Sequence, residues 1–400
     1  MKPKTPEKTE KITKFRTHHW EEMNRKQRRE LTRKIQNQDL SLEVVHPDAA
    51  GIDIGNESHY VAVPATRDSQ PVRRFGCTTG ELQAMAQWLK QCRIRTVAMQ
   101  STGVYWVAVY DLLEQAGFEM YLVNARDTKN LPGRKSDVQE SQWLMKLHTY
   151  GLLRNSFRPS QEIRMMRTYW RQRNDLVRSA GRHIQRIQKA LTQMNIQLAN
   201  VLSDVSGMTG QAIVKAILRG ERDPHKLAAL RDLRVKASEE QIAQSLEGNW
   251  QPDLLFVLKQ EQDSYEFCQR QMAECDGQLA QYLQQREDRS QSASLPEEKR
   301  KGRRRQKRGN APQFDLREGL FRMSGTDLTQ IDSIDVMTAT TILSEVGWEM
   351  SKWETENHFV SWLRPRHFGA LHRNRSRISL RLRHFARSVV RALALPPSLH

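Results

Sequence analysis

The sequence predicts an α/β domain, then a long helical region, then a small helical element ahead of a basic tail. Three observations carry that expectation. Short apolar strand-like segments alternate with helical spacing from Ala49 onward, an apolar seven-residue repeat runs through residues 163–201, and all periodicity is lost across Asp288–Phe314. The breaks divide the chain into segments 1–45, 46–158, 159–290, 291–314, 315–362 and 363–400.

Residues 1–45 are polar and basic, an arm with one helix expected around His19–Gln36. Ala50–Ile54, His59–Pro64 and Val72–Thr78 read as three strands, with Gly55-Asn56 as the turn between the first two. Leu82, Met85, Trp88 and Leu89 give Thr79–Gln91 helical spacing. Strand Thr96–Gln100, helix Val104–Gln115, strand Phe118–Asn124 and helix Ser136–His148 follow. Three strands and then alternating helices and strands fit a layered α/β fold of the ribonuclease-H kind.

In the helical region Ile163, Trp170, Val177, Ile184, Leu191 and Leu198 recur every seven residues. Met166, Arg173, Ala180, Ile187, Met194 and Val201 fill the companion positions, with Arg173 the one polar break. This repeat predicts a long helix with a coiled-coil seam, and Gly181 is its weak point. The seam predicts a homo-oligomer, most simply a dimer, because a long apolar stripe would otherwise face water. Pairing with a second helix at Glu261–Arg286 of the same chain is the competing outcome. The outer faces carry Arg164, Arg167, Arg171, Arg178, Arg182, Arg186 and Lys189 against Glu162 and Asp175, a one-signed bias that suggests phosphate contacts. Lys299–Arg308, almost wholly basic, reads as a linker.

Composition points the same way. The 400 residues hold 64 Lys and Arg against 46 Asp and Glu, a net charge of +18. That is the balance of a nucleic-acid binder rather than of a small-molecule enzyme. No apolar run approaches the ~20 residues that span a membrane. The Lys-rich start lacks a signal peptide's apolar stretch, and a cytoplasmic protein is expected. Cys77, Cys92, Cys268 and Cys275 follow no zinc or disulfide pattern.

Candidate chemistry lies with three acids. Asp53 sits inside a short apolar strand, and Asp137 and Glu140 stand three apart at a helix start, on one face. A strand aspartate converging with a helical acid pair could gather oxygen ligands for Mg²⁺. Equally, Asp53 could be a strand-end acid, with Asp137 and Glu140 suiting the positive end of a helix dipole.

The wording of the motifs adds to this. Gly51–Gly55, Ser101–Trp106, Val123–Arg126, Gly133–Val138 and Leu147–Leu153, in that order, resemble insertion-sequence transposases with a DEDD catalytic site. The resemblance is to insertion-sequence family 110, subgroup 1111, and covers roughly residues 45–362. It implies a RuvC-like N-terminal domain, Mg²⁺-dependent strand exchange, element and target DNA as partners, and a bridge RNA as guide. The four acids of the family map onto Asp53, Gln100, Asp137 and Glu140, of which Asp53, Asp137 and Glu140 would hold metal. Arg126, Lys129, Arg134 and Lys135, with Arg171, Arg178 and Arg182 on the long helix, are the expected nucleic-acid contacts.

The chain departs from the family in three places. Gln100 stands where glutamate is usual, removing one negative charge from the cation site, and Glu140 stands where aspartate is usual. Leu328–Ala339 sits where the family carries a helix-hairpin-helix-like turn, yet Ser333 and Asp335 occupy glycine positions. Beyond Trp362 the family's Ser-Gly-Gly-Lys-like motif, source of the nucleophilic serine, is missing; residues 363–400 hold nine arginines and no acid, as a frameshift or truncation would leave. A transposase impaired in this copy is therefore expected. The alternatives are a non-catalytic nucleic-acid-binding remnant or repressor, and a RuvC-like structure-specific nuclease.

Overall fold

The computed structural model describes residues 24–36, 42–124, 136–291, 293–297, 310–332 and 334–353, with residues 359, 389, 390 and 393. The chain divides into two compact units, Met1–Arg158 and Pro159–His400.

The first unit opens with α1 (Arg25–Gln36); the rest of the expected N-terminal helix, to residue 23, lies outside the described residues. Strands β1 (Ala49–Ile54), β2 (Ser58–Ala62) and β3 (Val72–Gly76) are followed by α2 (Thr79–Gln91), β4 (Thr96–Gln100), α3 (Trp106–Gln115), β5 (Glu119–Val123) and α4 (Asp137–Thr149). The strands form one sheet in the order β3-β2-β1-β4-β5. The first three are antiparallel neighbours, while β4 and β5 run parallel to β1. This mixed sheet with helices is an α/β fold of the ribonuclease-H kind.

Strand alternation makes three layers. Ala50, Ile52 and Ile54 of β1 turn to one side, into a core with Met85 and Leu89 of α2 and Val109 and Leu113 of α3. Ala98 of β4 turns to the other, against Leu31 and Ile35 of α1 and Trp143, Leu144 and Leu147 of α4. On that second side Gly51 is essential. A Cβ there would lie 2.3 Å from the Met145 amide nitrogen and 2.5 Å from the Ser141 carbonyl oxygen, so only hydrogen lets α4 approach this closely.

The same interface buries His148. Its Nε2 lies 2.8 Å from the Thr96 hydroxyl, and its ring stacks on His46, with centroids 4.6 Å apart. Burial, with the neighbouring His46, lowers its pKa from 6.5 to about 3.

The second unit is built on α5 (Gln161–Gln193), a helix of 33 residues that runs unbroken through Gly181. It stops before the repeat does. Met194 caps it, Asn195 follows with a left-handed φ of 57°, and Leu198 and Val201 belong to the separate short helix α6 (Leu198–Val201). Next come α7 (Met208–Leu218), α8 (Pro224–Ala228), α9 (Glu239–Ser245) and α10 (Pro252–Gln284). Pro252 takes a first-turn position, so α10 begins well ahead of the expected Glu261.

Helix α10 runs antiparallel to α5, the pairing within one chain that the sequence left open as the competing outcome. Ala180 packs with Cys268 and Met272. Met166 and Trp170 share a core with Leu279, Tyr282 and Leu283, and the Tyr282 hydroxyl donates to the Glu162 carbonyl at 2.7 Å. The seam read as a dimer interface is filled within one chain. Its polar break is explained too: buried Arg173 donates to the carboxylate of Asp276 on α10 and, at 2.8 Å, to the Asn310 carbonyl.

Helices α11 (Leu316–Ser324) and α12 (Val336–Val346) join the core around Met166 and Trp170. Asp335, at a position where glycine was expected, accepts from the Thr338 amide at 2.9 Å and caps α12, while Ser333 lies outside the described residues. So do Lys299–Arg308 and nearly all of residues 363–400. Among the described residues no helix is long and apolar enough to cross a membrane, and all four cysteines are free.

Two outcomes are expected. His148 stays neutral in the fold but gains a proton in the unfolded chain below pH 6.5. Stability therefore falls as pH drops from about 6.5 towards 3, by up to ~1.4 kcal/mol per pH unit from this group. The melting temperature of His148→Asn plotted against pH should be flatter than the parent's in that window, and an identical slope would contradict the burial. Asp276→Ala, which strands a buried guanidinium, should destabilise the second unit by ~3–5 kcal/mol in denaturant unfolding, whereas Arg173→Met with Asp276→Leu should recover most of it.

Candidate active site

The end of the sheet is set by strand register. Ile52 pairs with Met99 across the parallel β1–β4 ladder, so Asp53 and Gln100 stand one step further on, side by side. Alternation puts Asp53 on the same side as Gly51, and Gln100 on the same side as Ala98 and Thr96. That is the side covered by α4. The helix runs opposite to β1: His148 meets Thr96, Ser141 and Met145 meet Gly51, and the first turn with Asp137 and Glu140 falls toward the carboxyl ends of β1 and β4. Ser136 starts this turn as N-cap, its hydroxyl accepting from the Gln139 amide at 3.3 Å.

The four positions thus come to one end of the domain, in unequal settings. Asp53, Gln100 and Glu140 are half-buried and each takes part in hydrogen-bonding or electrostatic interactions. Asp137 is exposed.

Among the described residues no three His, Cys, Asp or Glu side chains form a group able to hold a metal ion. The expected metal set of Asp53, Asp137 and Glu140 is not such a group, although strand and helix direction bring their positions toward one end of the domain. The donors are all oxygen, which suits a hard cation, yet one position is an amide and one carboxylate lies out in solvent. As they stand, these residues do not make a complete Mg²⁺ site.

A rigid turn rims the same end. Gly103, with φ 53°, lets the chain leave β4, and the Trp106 indole donates to the Gly103 carbonyl at 3.2 Å. Arg158 lies over the Trp106 and Tyr110 rings and pairs with Asp111 at 2.6 Å. Val104 and Tyr105 of this turn are left exposed. The Ser101–Trp106 motif marked this turn in the sequence, but its apolar rim went unread.

One comparison bears on the kind of domain. Residues 50–196 match the DEDD transposase family model of insertion sequence 110, described as Transposase. The segment similar to that family runs from β1 to just past the end of α5. No curated protein matches the chain.

The expected nucleic-acid contacts fare differently. Arg126, Lys129, Arg134 and Lys135 lie outside the described residues. Arg171 is committed internally, its Nε and Nη2 each 2.7 Å from an oxygen of buried Glu345, which Arg167 also holds at 3.1 Å. A bidentate pair with a buried carboxylate is a structural joint between α5 and α12, so Arg171 is a poor phosphate ligand. Arg178 contacts Asp175, and Arg182 reaches the Ser179 hydroxyl at 2.8 Å, both on exposed surface. Glu345, a lone acid in an apolar helix, was the legible signal for that joint.

Gln100→Glu should restore a charge beside Asp53 and tighten Mg²⁺ binding, on the order of tenfold. Titration calorimetry on the parent and the variant checks this; equal affinities would remove position 100 from the ligand set.

Proposed function

We propose that this protein is an insertion-element transposase that retains nucleic-acid binding but is impaired in strand exchange. The observation that carries the reading is the parallel β1–β4 register, which sets Asp53 and Gln100 one step beyond the Ile52–Met99 pair, toward the start of the acid-bearing helix and within the segment similar to transposases. The motifs support the finer assignment to subgroup 1111, with element ends and target DNA as partners and a bridge RNA as guide.

In the intact family a divalent cation, Mg²⁺ in our reading, would activate the nucleophile and steady the leaving oxygen. Here Asp53, Gln100, Asp137 and Glu140 supply three charges where four are usual. Within residues 363–400, Ser376, Ser379 and Ser388 are set among arginines and stand in no nucleophile-like context. The amide at position 100 specifically favours a second reading, a binding protein without chemistry that acts as a repressor. A structure-specific nuclease would need the acids alone, and metal-dependent nicking of branched DNA separates it from that repressor.

Binding to element DNA or to structured guide RNA should fall by ~10³–10⁵ between 50 and 200 mM salt, as six to ten phosphate contacts require. A recombination assay with the guide RNA and both DNA partners should give little or no strand transfer. Covalent protein–DNA product would refute the impairment, and binding that barely responds to salt would refute the electrostatic argument.

A further inference from the structure

Exposed apolar side chains in the first unit are not scattered. Among its described residues the large ones that face water are Val44, Val45, Val104, Tyr105, Val107 and Val138. Val45 belongs to the far end of α4, where its amide donates to the Thr149 carbonyl at 2.9 Å. The last four fall at the carboxyl end of the sheet, where β4 leads into α3 and α4 makes its first turn. Tyr105 is the one aromatic ring among them, 48% exposed, and Val104 ahead of it is 75% exposed.

The turn that carries Tyr105 is tightly held. It follows directly on Gln100, the last residue of β4. The Ser101 amide donates to the Val123 carbonyl of β5 at 2.9 Å, and the Val107 amide closes on the Val104 carbonyl at 3.2 Å. Gly103 takes its left-handed φ of 53°, and a Cβ there would lie 3.4 Å from Cδ2 and Cε2 of Tyr105. The bare α-carbon therefore seats one edge of the ring. Trp106 ties back to the Gly103 carbonyl, and buried Arg158 covers Trp106 and Tyr110 with Asp111 as its counter-ion. The ring is thus positioned in advance, and about half of its surface stays open.

An ordinary solvated tyrosine would need neither the pinned turn nor the apolar neighbours. A protein partner is a poor match as well, because a few adjoining side chains fall well short of the ~800 Å² per partner of a stable interface. A nucleobase needs only one flat ring. Base–aromatic stacking accepts any base, and it adds to phosphate attraction rather than replacing it. The net charge of +18 supplies the attraction that brings a polyanion to the chain.

We propose that Tyr105 is a stacking platform for one unpaired base of a DNA strand, held at the end of the domain that carries Asp53, Gln100 and the first turn of α4. A base inside a closed duplex is already stacked on both sides, so the platform selects opened or splayed DNA. The inference rests on the nucleic-acid-binding reading above and adds to it a contact that salt does not screen.

The test uses the full chain without metal, titrated against a splayed-arm DNA with a fluorescent adenine analogue in the unpaired arm. A fully paired duplex and an RNA hairpin are the comparisons. Parent protein should quench the analogue on binding. Tyr105→Ala should lose the quench and weaken splayed-arm binding by about tenfold, with its salt slope and its affinity for the paired duplex unchanged. Tyr105→Trp, which keeps a flat ring, should restore both quench and affinity, and thermal unfolding by circular dichroism serves as the folding control. Splayed-arm binding indifferent to Tyr105→Ala, an equal loss on the paired duplex, or a loss confined to the RNA hairpin would each overturn the inference while leaving nucleic-acid binding in place. A parent that binds none of the three would overturn the reading beneath it as well.

Discussion

The close approach of α4 to β1 is the constraint on which the candidate site depends. At Gly51 the helix backbone lies where any side chain would be, so strand and helix are held at a separation that only hydrogen permits. Because the two run in opposite directions, this contact sets which turn of α4 reaches the carboxyl ends of β1 and β4. The first turn does, and it carries Asp137 and Glu140. Buried His148, three residues after Met145, anchors the other end against Thr96. A larger residue at position 51 would push the helix off the sheet and carry both acids away from Asp53.

In the second unit the equivalent constraint is electrostatic. Arg173 and Asp276 are buried opposite each other in the α5–α10 seam, and an unpaired charge there is costly in every other register. Arg167 and Arg171 do the same for α12 through Glu345. The second joint draws on arginines that a count along the sequence assigns to the surface, whereas Arg173 already stood in the seam as its polar break. Their effect is to align the helices rather than to reach a ligand.

The first unit was legible because its periodicities are local. Thr79–Gln91 and Thr96–Gln100 are found with the bounds expected, since a threonine cap, a spaced apolar face and a short β-rich run each identify themselves. The acid-bearing helix was legible through Ser136 and the acids of its first turn. What could not be read was which surface closes which. The repeat from Ile163 specifies an apolar stripe, but an α10 of the same length, 33 residues, satisfies it as well as a second chain would. The last two repeat positions failed because Asn195 ends the helix, and nothing in the spacing of Leu198 and Val201 records that. At the acid site, residue types gave the oxygen donors, whereas the exposure of Asp137 depends on tertiary placement.

The distribution of charge decides where nucleic acid can be held. Of the net +18, eight charges come from Lys299–Arg308 and nine from residues 363–400, which leaves the rest of the chain close to neutral. The long helix illustrates this. Arg164, Arg167, Arg171, Arg173, Arg178, Arg182, Arg186 and Lys189 stand on α5, but α10 brings Asp253, Glu261, Asp263, Glu266, Glu274 and Asp276 against two basic residues. Glu261 holds His183 and Arg186 directly, at 2.6 and 3.2 Å. Folding the two helices together thus cancels much of the one-signed bias that the α5 sequence shows in isolation. Phosphate attraction, which scales with uncompensated cations, belongs chiefly to the linker and the tail. The helix pair contributes geometry; of the exposed cations on α5, Arg171, Arg178 and Arg186 already pair with acids, leaving Arg182 and Lys189 beside them.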